Sequence, residues 1–289
     1  MSRSAWSDFR GLNLDLIWGG GERLAGALGR PLRDHMLPIG DGSLPVLTLP
    51  GFLASESSLS RLNETLNAHG YATTGWRQGT NLGPQKATLL EHIDQLEHSL
   101  GRDVKIMADA AEHPIALVGW SLGGVYAREL AKRMPEYIDR VITLGSPTIE
   151  PETAHHLNKL LRLIGRRFSG HRLIDMTSDE SVGLWDAHSP PLPMVSIYST
   201  VDRVVPEGTA RIPDEVIDDA DPAAPRENIP ILCSHTGMAS NPFVILAVLD
   251  RLAQPSDDWV DFDAHEYFHG PLRLWPTPFR HPYHAATDA

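Results

Sequence analysis

The segment Gly119-Trp120-Ser121-Leu122-Gly123 constrains the fold of this chain more than any other. The apolar run before it, Ile115–Val118, predicts a buried strand, and Val125–Ala131 after it predicts a helix that ends before Pro135. A strand that turns sharply into a helix at a serine leaves the serine oxygen projecting from the sheet, and the flanking glycines relieve the crowding of the turn. The alternative is an ordinary Gly-rich turn between a strand and a helix. The order of strand, serine and helix favours a nucleophilic Ser121.

Strands and helices alternate from residue 44 to residue 253. Further strands are predicted at Leu44–Leu49, Tyr71–Trp76, Arg140–Leu144, Met194–Ser199 and Ile229–Cys233. Further helices are predicted at Ser57–His69, 85–111 and Asn241–Ala253, where apolar residues recur in steps of three and four. This alternation predicts an α/β fold, with a mostly parallel central sheet and helices on both faces.

Composition excludes several classes of partner. The chain has 289 residues, 42% of them hydrophobic, which is enough for one globular α/β domain. Its net charge of -12 argues against nucleic acids and anionic membranes as main partners. Met1–Arg10 has no secretion signature and no apolar run is long enough to span a bilayer, so we expect a cytoplasmic protein without stable membrane insertion. The one cysteine, Cys233, is expected in the core.

Four blocks of the sequence resemble the α/β-hydrolases of the lipase/carboxylesterase type. They are Leu49–Leu53, Gly119–Gly124, Leu144–Pro147, and the pair Asp202 and His235. The resemblance runs from about Pro45 to Ala253 and implies a single α/β-hydrolase domain with a small cap. The implied parts are an N-terminal arm (1–44), a core (45–147 and 193–254), a cap or lid insertion (148–192) and an aromatic-rich C-terminal extension (255–289).

The two terminal segments leave alternatives open. The arm could pack on the core, or present a helix to a membrane surface or to a second subunit. The extension could wrap the core with its aromatic rings or contact a second copy, so a homo-oligomer is possible.

A reactive serine needs a base, and the base needs a carboxylate that holds its tautomer. In α/β-hydrolases the order along the chain is serine, acid, histidine. Asp202 follows the predicted strand Met194–Ser199, His235 follows the predicted strand Ile229–Cys233, and both loops resemble the family's acid and histidine loops. The rival acids lie in the predicted cap, and the next bases in line lie there or in the tail: Asp175, Asp179 and Asp186, and His188, His265 and His269.

Two backbone N–H groups are expected to stabilise the oxyanion of the reaction. One belongs to Leu122, directly after the serine, and the other to Phe52, in the loop after the first core strand, with Leu53 as the alternative. Many family members carry His-Gly where this chain has Pro50-Gly51, a change that removes a side chain but no backbone donor. Leu53 and Trp120 are expected to line the substrate pocket.

The resemblance and the ordered residues predict a hydrolase that cleaves small-molecule esters with uncharged acyl groups through an acyl-enzyme on Ser121. Acyl transfer to an alcohol, lactone or amide hydrolysis on the same triad, and a non-catalytic binding scaffold remain as alternatives. We expect no cofactor, because Gly19-Gly20-Gly21 lacks the residues of a phosphate loop. We also expect no metal, because His265 and His269 lack a third ligand at a recognisable spacing.

Overall fold

The computed structural model describes residues 44–84, 89–148, 190–256 and 258–264. Nearly all of the predicted arm and cap and most of the C-terminal extension lie outside these residues, and their roles stay predictions.

A six-stranded sheet forms the centre of the described structure. Its strands are β1 (Val46–Leu49), β2 (Thr73–Thr74), β3 (Ile115–Trp120), β4 (Ile138–Leu144), β5 (Met194–Tyr198) and β6 (Arg226–Pro230). All of its neighbouring strands are parallel, in the order β2-β1-β3-β4-β5-β6. The predicted α/β fold is therefore confirmed.

Helices cover both faces of this sheet. They are α1 (Ser60–Ala68), α2 (Leu89–Ala111), α3 (Leu122–Arg133), α4 (Glu207–Ala210), α5 (Asp214–Asp218) and α6 (Pro242–Ala253). Successive side chains of β3 point to opposite faces: Ala116 and Val118 pack with α1 and α6, whereas Ile115 and Leu117 pack with α2 and α3. Because both faces are covered, the strand is apolar throughout and fully buried.

The strand order reverses beside β1, and this reversal positions the candidate site. From β1 the chain crosses to β2 at one edge, then returns to β3 and continues towards β6. The loops that leave β1 and β3 therefore diverge, which opens a crevice at the carboxyl ends of these strands. Leu49 pairs with Gly119 at this end, so the loop after β1 begins directly beside Ser121.

The last strand begins earlier in the chain than the sequence predicted. The predicted strand was Ile229–Cys233, whereas β6 is Arg226–Pro230. Arg226 and Glu227 are charged, yet both are buried, because Arg226 donates to the Leu192 carbonyl and Glu227 accepts from Arg251 at 2.7 Å. Partners that are distant in sequence therefore allow charged residues to be buried at the start of β6. A prediction based on the pattern of apolar residues could not include them.

Two buried arginines fasten the start of the C-terminal extension to the core. Arg140 donates to the carbonyl oxygens of Arg251 and Gln254, and Arg251 donates to the Val260 carbonyl at 2.7 Å. Both guanidinium groups lie over the ring of Trp259, at 5.5 Å and 5.2 Å from its centroid. These contacts fix residues 254–256 and 258–260 at the amino-terminal ends of the strands, away from the crevice.

Candidate active site

Ser121 occupies a strained turn between β3 and α3. Its backbone has φ 54° and ψ -122°, a left-handed conformation that costs a side-chain-bearing residue about 1–3 kcal/mol. The Ser121 N–H donates to the Leu144 carbonyl at 2.9 Å, and the Ser121 carbonyl accepts from Ser146 Oγ at 2.7 Å. A Cβ on Gly119 would lie 2.4 Å from the Gly123 oxygen, so the turn can close only with glycine there. The predicted sharp turn is present, and it leaves Ser121 half-buried.

Three side chains distant in sequence meet over the carboxyl end of the sheet. His235 Nε2 lies 3.1 Å from Ser121 Oγ, and His235 Nδ1 lies 2.6 Å from Asp202 Oδ2. An ionised carboxylate only accepts hydrogen bonds, so the proton of the neutral ring is assigned to Nδ1. The lone pair of Nε2 then faces the serine hydroxyl, which is the arrangement that a general base requires.

The Asp202 carboxylate is held on its other side by its own loop. Its Oδ1 accepts from the N–H groups of Val204 and Val205, at 2.7 Å and 2.9 Å, and its side chain is fully buried. Ser199 ties this loop to the histidine loop, since its Oγ donates to the Cys233 carbonyl at 2.6 Å. The carboxylate therefore has one orientation, with Oδ2 directed at the imidazole.

Trp120 holds the histidine loop from the opposite side. Its indole Nε1–H donates to the His235 carbonyl at 3.1 Å, and the two rings are tilted with centroids 5.8 Å apart. Both residues are buried. Trp120 therefore fixes the backbone of the histidine, and its place in the substrate pocket stays a prediction.

The predicted oxyanion donors lie on either side of Ser121. Leu122 is the first residue of α3, so its N–H has no acceptor within the helix. The loop after β1 approaches closely, because a Cβ on Gly51 would lie 3.0 Å from Ser121 Cβ. The Leu53 N–H already donates to the Asn81 carbonyl at 2.7 Å, whereas the Phe52 N–H has no hydrogen-bond partner within the described ranges. Because the Leu53 N–H is already used, Phe52 is favoured over Leu53 as the second oxyanion donor.

Solved structures share this architecture. A soluble variant of monoglyceride lipase from Saccharomyces cerevisiae superposes with a TM-score of 0.51 and 17% identity, over 75% of this chain and 88% of that chain. An alpha/beta hydrolase enzyme, MGS-MChE2, from the metagenome of lagoon sediments of Mar Chica, Morocco, superposes with a TM-score of 0.50 and 20% identity, over 74% of this chain and 91% of that chain. The chain has the α/β-hydrolase fold.

Sequence comparison matches a smaller part of this chain than structural comparison does. No protein-family model matches the chain. A segment of 53 residues is 45% identical to the bifunctional biotin biosynthesis protein BioHC of Teredinibacter turnerae. This segment is 18% of the present chain and only 9% of that relative, so it says nothing of the whole protein's activity.

Sequence reasoning singled out the side chains that converge in this α/β-hydrolase fold but missed two that support them. Ser146 was noted only as part of Leu144–Pro147, and the structure bonds its hydroxyl to the Ser121 backbone. Asn81 carried no signal except its position in a polar loop, and it contacts the loop that contains Phe52. Both act on the backbone of a residue distant in sequence, which spacing cannot reveal.

The hydrolase fold at this site depends on the absence of a side chain at Gly123. A Cβ there would lie 2.2 Å from the Leu49 carbonyl oxygen and 2.8 Å from that of Pro50. These are backbone atoms that cannot rotate away, so we expect Gly123→Ala to lower the free energy of unfolding by about 1–3 kcal/mol. Chemical denaturation followed by circular dichroism measures this change.

Gly208 in α4 provides the matched control, because an added Cβ would meet no atom within 4 Å. We expect Gly208→Ala to leave stability unchanged or raise it by about 0.5–1 kcal/mol. If both variants unfold at the same denaturant concentration as the wild type, the contact of the Ser121 turn with β1 is looser than the structure indicates.

The described residues bear on two further predictions. They contain no group of three or more His, Cys, Asp or Glu side chains arranged to hold a metal ion, and His265 and His269 lie outside them. None of the helices that the structure describes has the length and apolar character needed to cross a bilayer.

Proposed function

We propose that this chain is a serine hydrolase that cleaves carboxylic esters through an acyl-enzyme on Ser121. His235 is the general base and Asp202 the carboxylate that orients it. The observation that supports this proposal most is the continuous line of hydrogen bonds from Asp202 Oδ2 through both ring nitrogens of His235 to Ser121 Oγ.

The proposed reaction has two steps. Ser121 Oγ bonds to the ester carbonyl carbon while its proton moves to His235 Nε2, and the carbonyl electron pair moves to the oxygen. The N–H groups of Phe52 and Leu122 stabilise that oxyanion, and Asp202 stabilises the imidazolium. The C–O bond to the alcohol then breaks, and the alcohol leaves with the proton from Nε2. Water attacks the acyl-enzyme by the same route, which releases the acid and restores the serine.

Apolar residues around the serine favour an uncharged acyl group. Phe52 and Leu53 are half-buried in the loop that approaches Ser121, and the buried Trp120 directly precedes it. Such surfaces bind an acyl chain through its apolar area and leave a charged one without a partner. A similar fold occurs in a monoglyceride lipase, so a monoglyceride belongs among the substrates tested.

Covalent labelling separates this proposal from a non-catalytic scaffold. We expect a fluorophosphonate probe to modify the native protein at Ser121 and not the heat-unfolded protein, because only the folded site makes the hydroxyl nucleophilic. Peptide mass spectrometry identifies the modified serine. Labelling at another serine, or none at all, would contradict the proposal.

The preferred length of the acyl chain is determined from the rates of hydrolysis of p-nitrophenyl esters from acetate to palmitate and of a monoglyceride. A fall beyond short chains indicates a carboxylesterase, and activity on long chains indicates a lipase. A labelled protein inactive on the whole series would contradict ester hydrolysis and favour lactones or amides as substrates of the same triad.

A further inference from the structure

Asn81 lies in the loop between β2 and α2, and all four of its hydrogen-bonding groups are used. Its backbone N–H donates to the Ala54 carbonyl and its backbone carbonyl accepts from the Leu53 N–H, both at 2.7 Å. Its side-chain Nδ2 donates to the Pro50 carbonyl at 2.8 Å, and its Oδ1 accepts from the Gly83 N–H at 3.1 Å. Asn81 is only 1% exposed, so water cannot replace these partners.

Three of these bonds go to one short turn, Pro50–Ala54. The turn is closed by the Ala54 N–H, which donates to the Gly51 carbonyl at 3.1 Å. Leu53 within it has φ 59°, a conformation that persists only where surrounding contacts hold it. The bonds from Asn81 lie on both sides of Phe52, so they determine where the Phe52 N–H points.

On the side away from Asn81, the turn Pro50–Ala54 packs closely against the turn that contains Ser121. The Pro50 carbonyl lies between Asn81 Nδ2 and Gly123, where an added Cβ would be 2.8 Å from it. Gly51 faces Ser121, with an added Cβ 3.0 Å from Ser121 Cβ. The loop is thus held between Asn81 and the helix that follows the serine, and a shift at Asn81 changes its distance from the serine.

We propose that Asn81 is the positioning residue of the oxyanion hole. It holds the Pro50 carbonyl with its amide and occupies the Leu53 N–H with its own carbonyl, so that the N–H of Phe52, rather than that of Leu53, joins the Leu122 N–H in facing the carbonyl that Ser121 attacks. This inference rests on the proposed hydrolase function and extends it to a residue that never touches the substrate.

The side-chain amide is the group that this role requires. Asn81 must donate to the Pro50 carbonyl and accept from the Gly83 N–H at the same time, which a carboxylate of the same shape cannot do. Asn81→Asp keeps the acceptor and both backbone bonds but sets a carboxylate oxygen against the Pro50 carbonyl. The repulsion pushes the turn away from its place beside Ser121.

An oxyanion donor acts in the transition state, so its displacement should lower kcat and leave KM unchanged. Removal of one such donor lowers kcat by about 10²–10³-fold, and we expect Asn81→Asp to lower kcat for a p-nitrophenyl ester by about 10²-fold. A trifluoromethyl ketone, whose adduct with the serine carries an oxyanion, should lose affinity by the same factor. Asn81→Ala, which introduces no charge, should lower kcat in the same way. It takes the place of Asn81→Asp in the experiment if the aspartate variant does not fold.

Asn228 supplies the matched control for a purely structural role. Its Oδ1 accepts from the Ile212 N–H at 3.0 Å and its Nδ2 donates to the Ile212 carbonyl at 2.7 Å, away from the residues proposed for the site. Asn228→Asp breaks an equivalent amide-to-carbonyl bond, so it should lower the melting temperature and leave kcat and the affinity for the ketone unchanged.

The outcomes are distinct. A wild type that neither reacts with the fluorophosphonate nor hydrolyses any ester overturns the hydrolase proposal, and the role of Asn81 with it. An active wild type with unchanged kcat in Asn81→Asp and Asn81→Ala overturns the positioning role alone. A rise in KM without a fall in kcat in the Asn81 variants also overturns the positioning role. An equal fall in kcat in Asn228→Asp overturns it as well. A fall in kcat and in ketone affinity confined to the Asn81 variants supports it.

Discussion

Replacing Ser121 with alanine should lower kcat for p-nitrophenyl ester hydrolysis by about 10⁶-fold, to the level that binding and the oxyanion donors alone sustain. The substitution removes Oγ, which lies 3.1 Å from His235 Nε2 and is the only atom proposed to bond to the substrate. No acyl-enzyme can form without it. The measurement is the initial rate of p-nitrophenolate release at saturating substrate.

The fold should survive this change. Alanine keeps the Cβ, so the energy of the left-handed backbone at residue 121 hardly changes, and the backbone bonds to Leu144 and Ser146 remain. Ser60→Ala is the matched control, because Ser60 is exposed at the start of α1. A Ser121→Ala protein that melts like the wild type and keeps more than about 1% of its turnover would show that the nucleophile lies elsewhere.

The fold could be predicted because local and global signals agree. The strand β3 is apolar on both faces, a helix follows it, and the serine between them has a glycine two positions before it and another two positions after it. The resemblance to α/β-hydrolases supplied the order of serine, acid and histidine, and a parallel sheet brings Asp202 and His235 to the edge that holds Ser121, because its carboxyl ends all lie there. The geometry that brings these side chains together was therefore implied by their positions in the chain.

What the sequence could not predict depends on contacts between distant backbone groups. Asn81 and Pro50 are 31 residues apart, and no periodicity links a polar loop residue to a carbonyl on another loop. The preference for Phe52 over Leu53 became visible only with the hydrogen bond of the Leu53 N–H. The start of β6 was missed for a related reason, since the buried Glu227 carboxylate is paired with Arg251 and with the Phe262 N–H, both distant in sequence.

The burial of Glu227 has a consequence for its titration. Burial raises the pKa of the Glu227 carboxyl, and Arg251 opposes part of that rise. A carboxylate is rarely buried without a partner, so a prediction from hydrophobicity alone would leave Glu227 outside the sheet. Sequence patterns therefore located the apolar strands well and failed where a charged pair replaces apolar packing.

Replacing Asp202 with asparagine should lower kcat by about 10⁴-fold while leaving the structure intact. The N–H groups of Val204 and Val205 require an oxygen at the Oδ1 position, so the new amide would set its NH₂ group against His235 Nδ1. The imidazole would then carry its proton on Nε2. An N–H facing Ser121 Oγ cannot accept the serine proton, and the nucleophile stays unactivated.

Two measurements check this prediction: kcat on a p-nitrophenyl ester and the rate constant of fluorophosphonate labelling. Both report activation of the same hydroxyl, so we expect them to fall together in Asp202→Asn while the melting temperature changes little. Asp214→Asn is the matched control, because Asp214 is exposed at the start of α5 and, among the described residues, its carboxylate pairs at the surface with Arg211 alone. An Asp202→Asn protein within about tenfold of the wild-type kcat would mean that the carboxylate does not set the tautomer of His235, and that the bond between Asp202 and His235 serves the fold of the histidine loop instead.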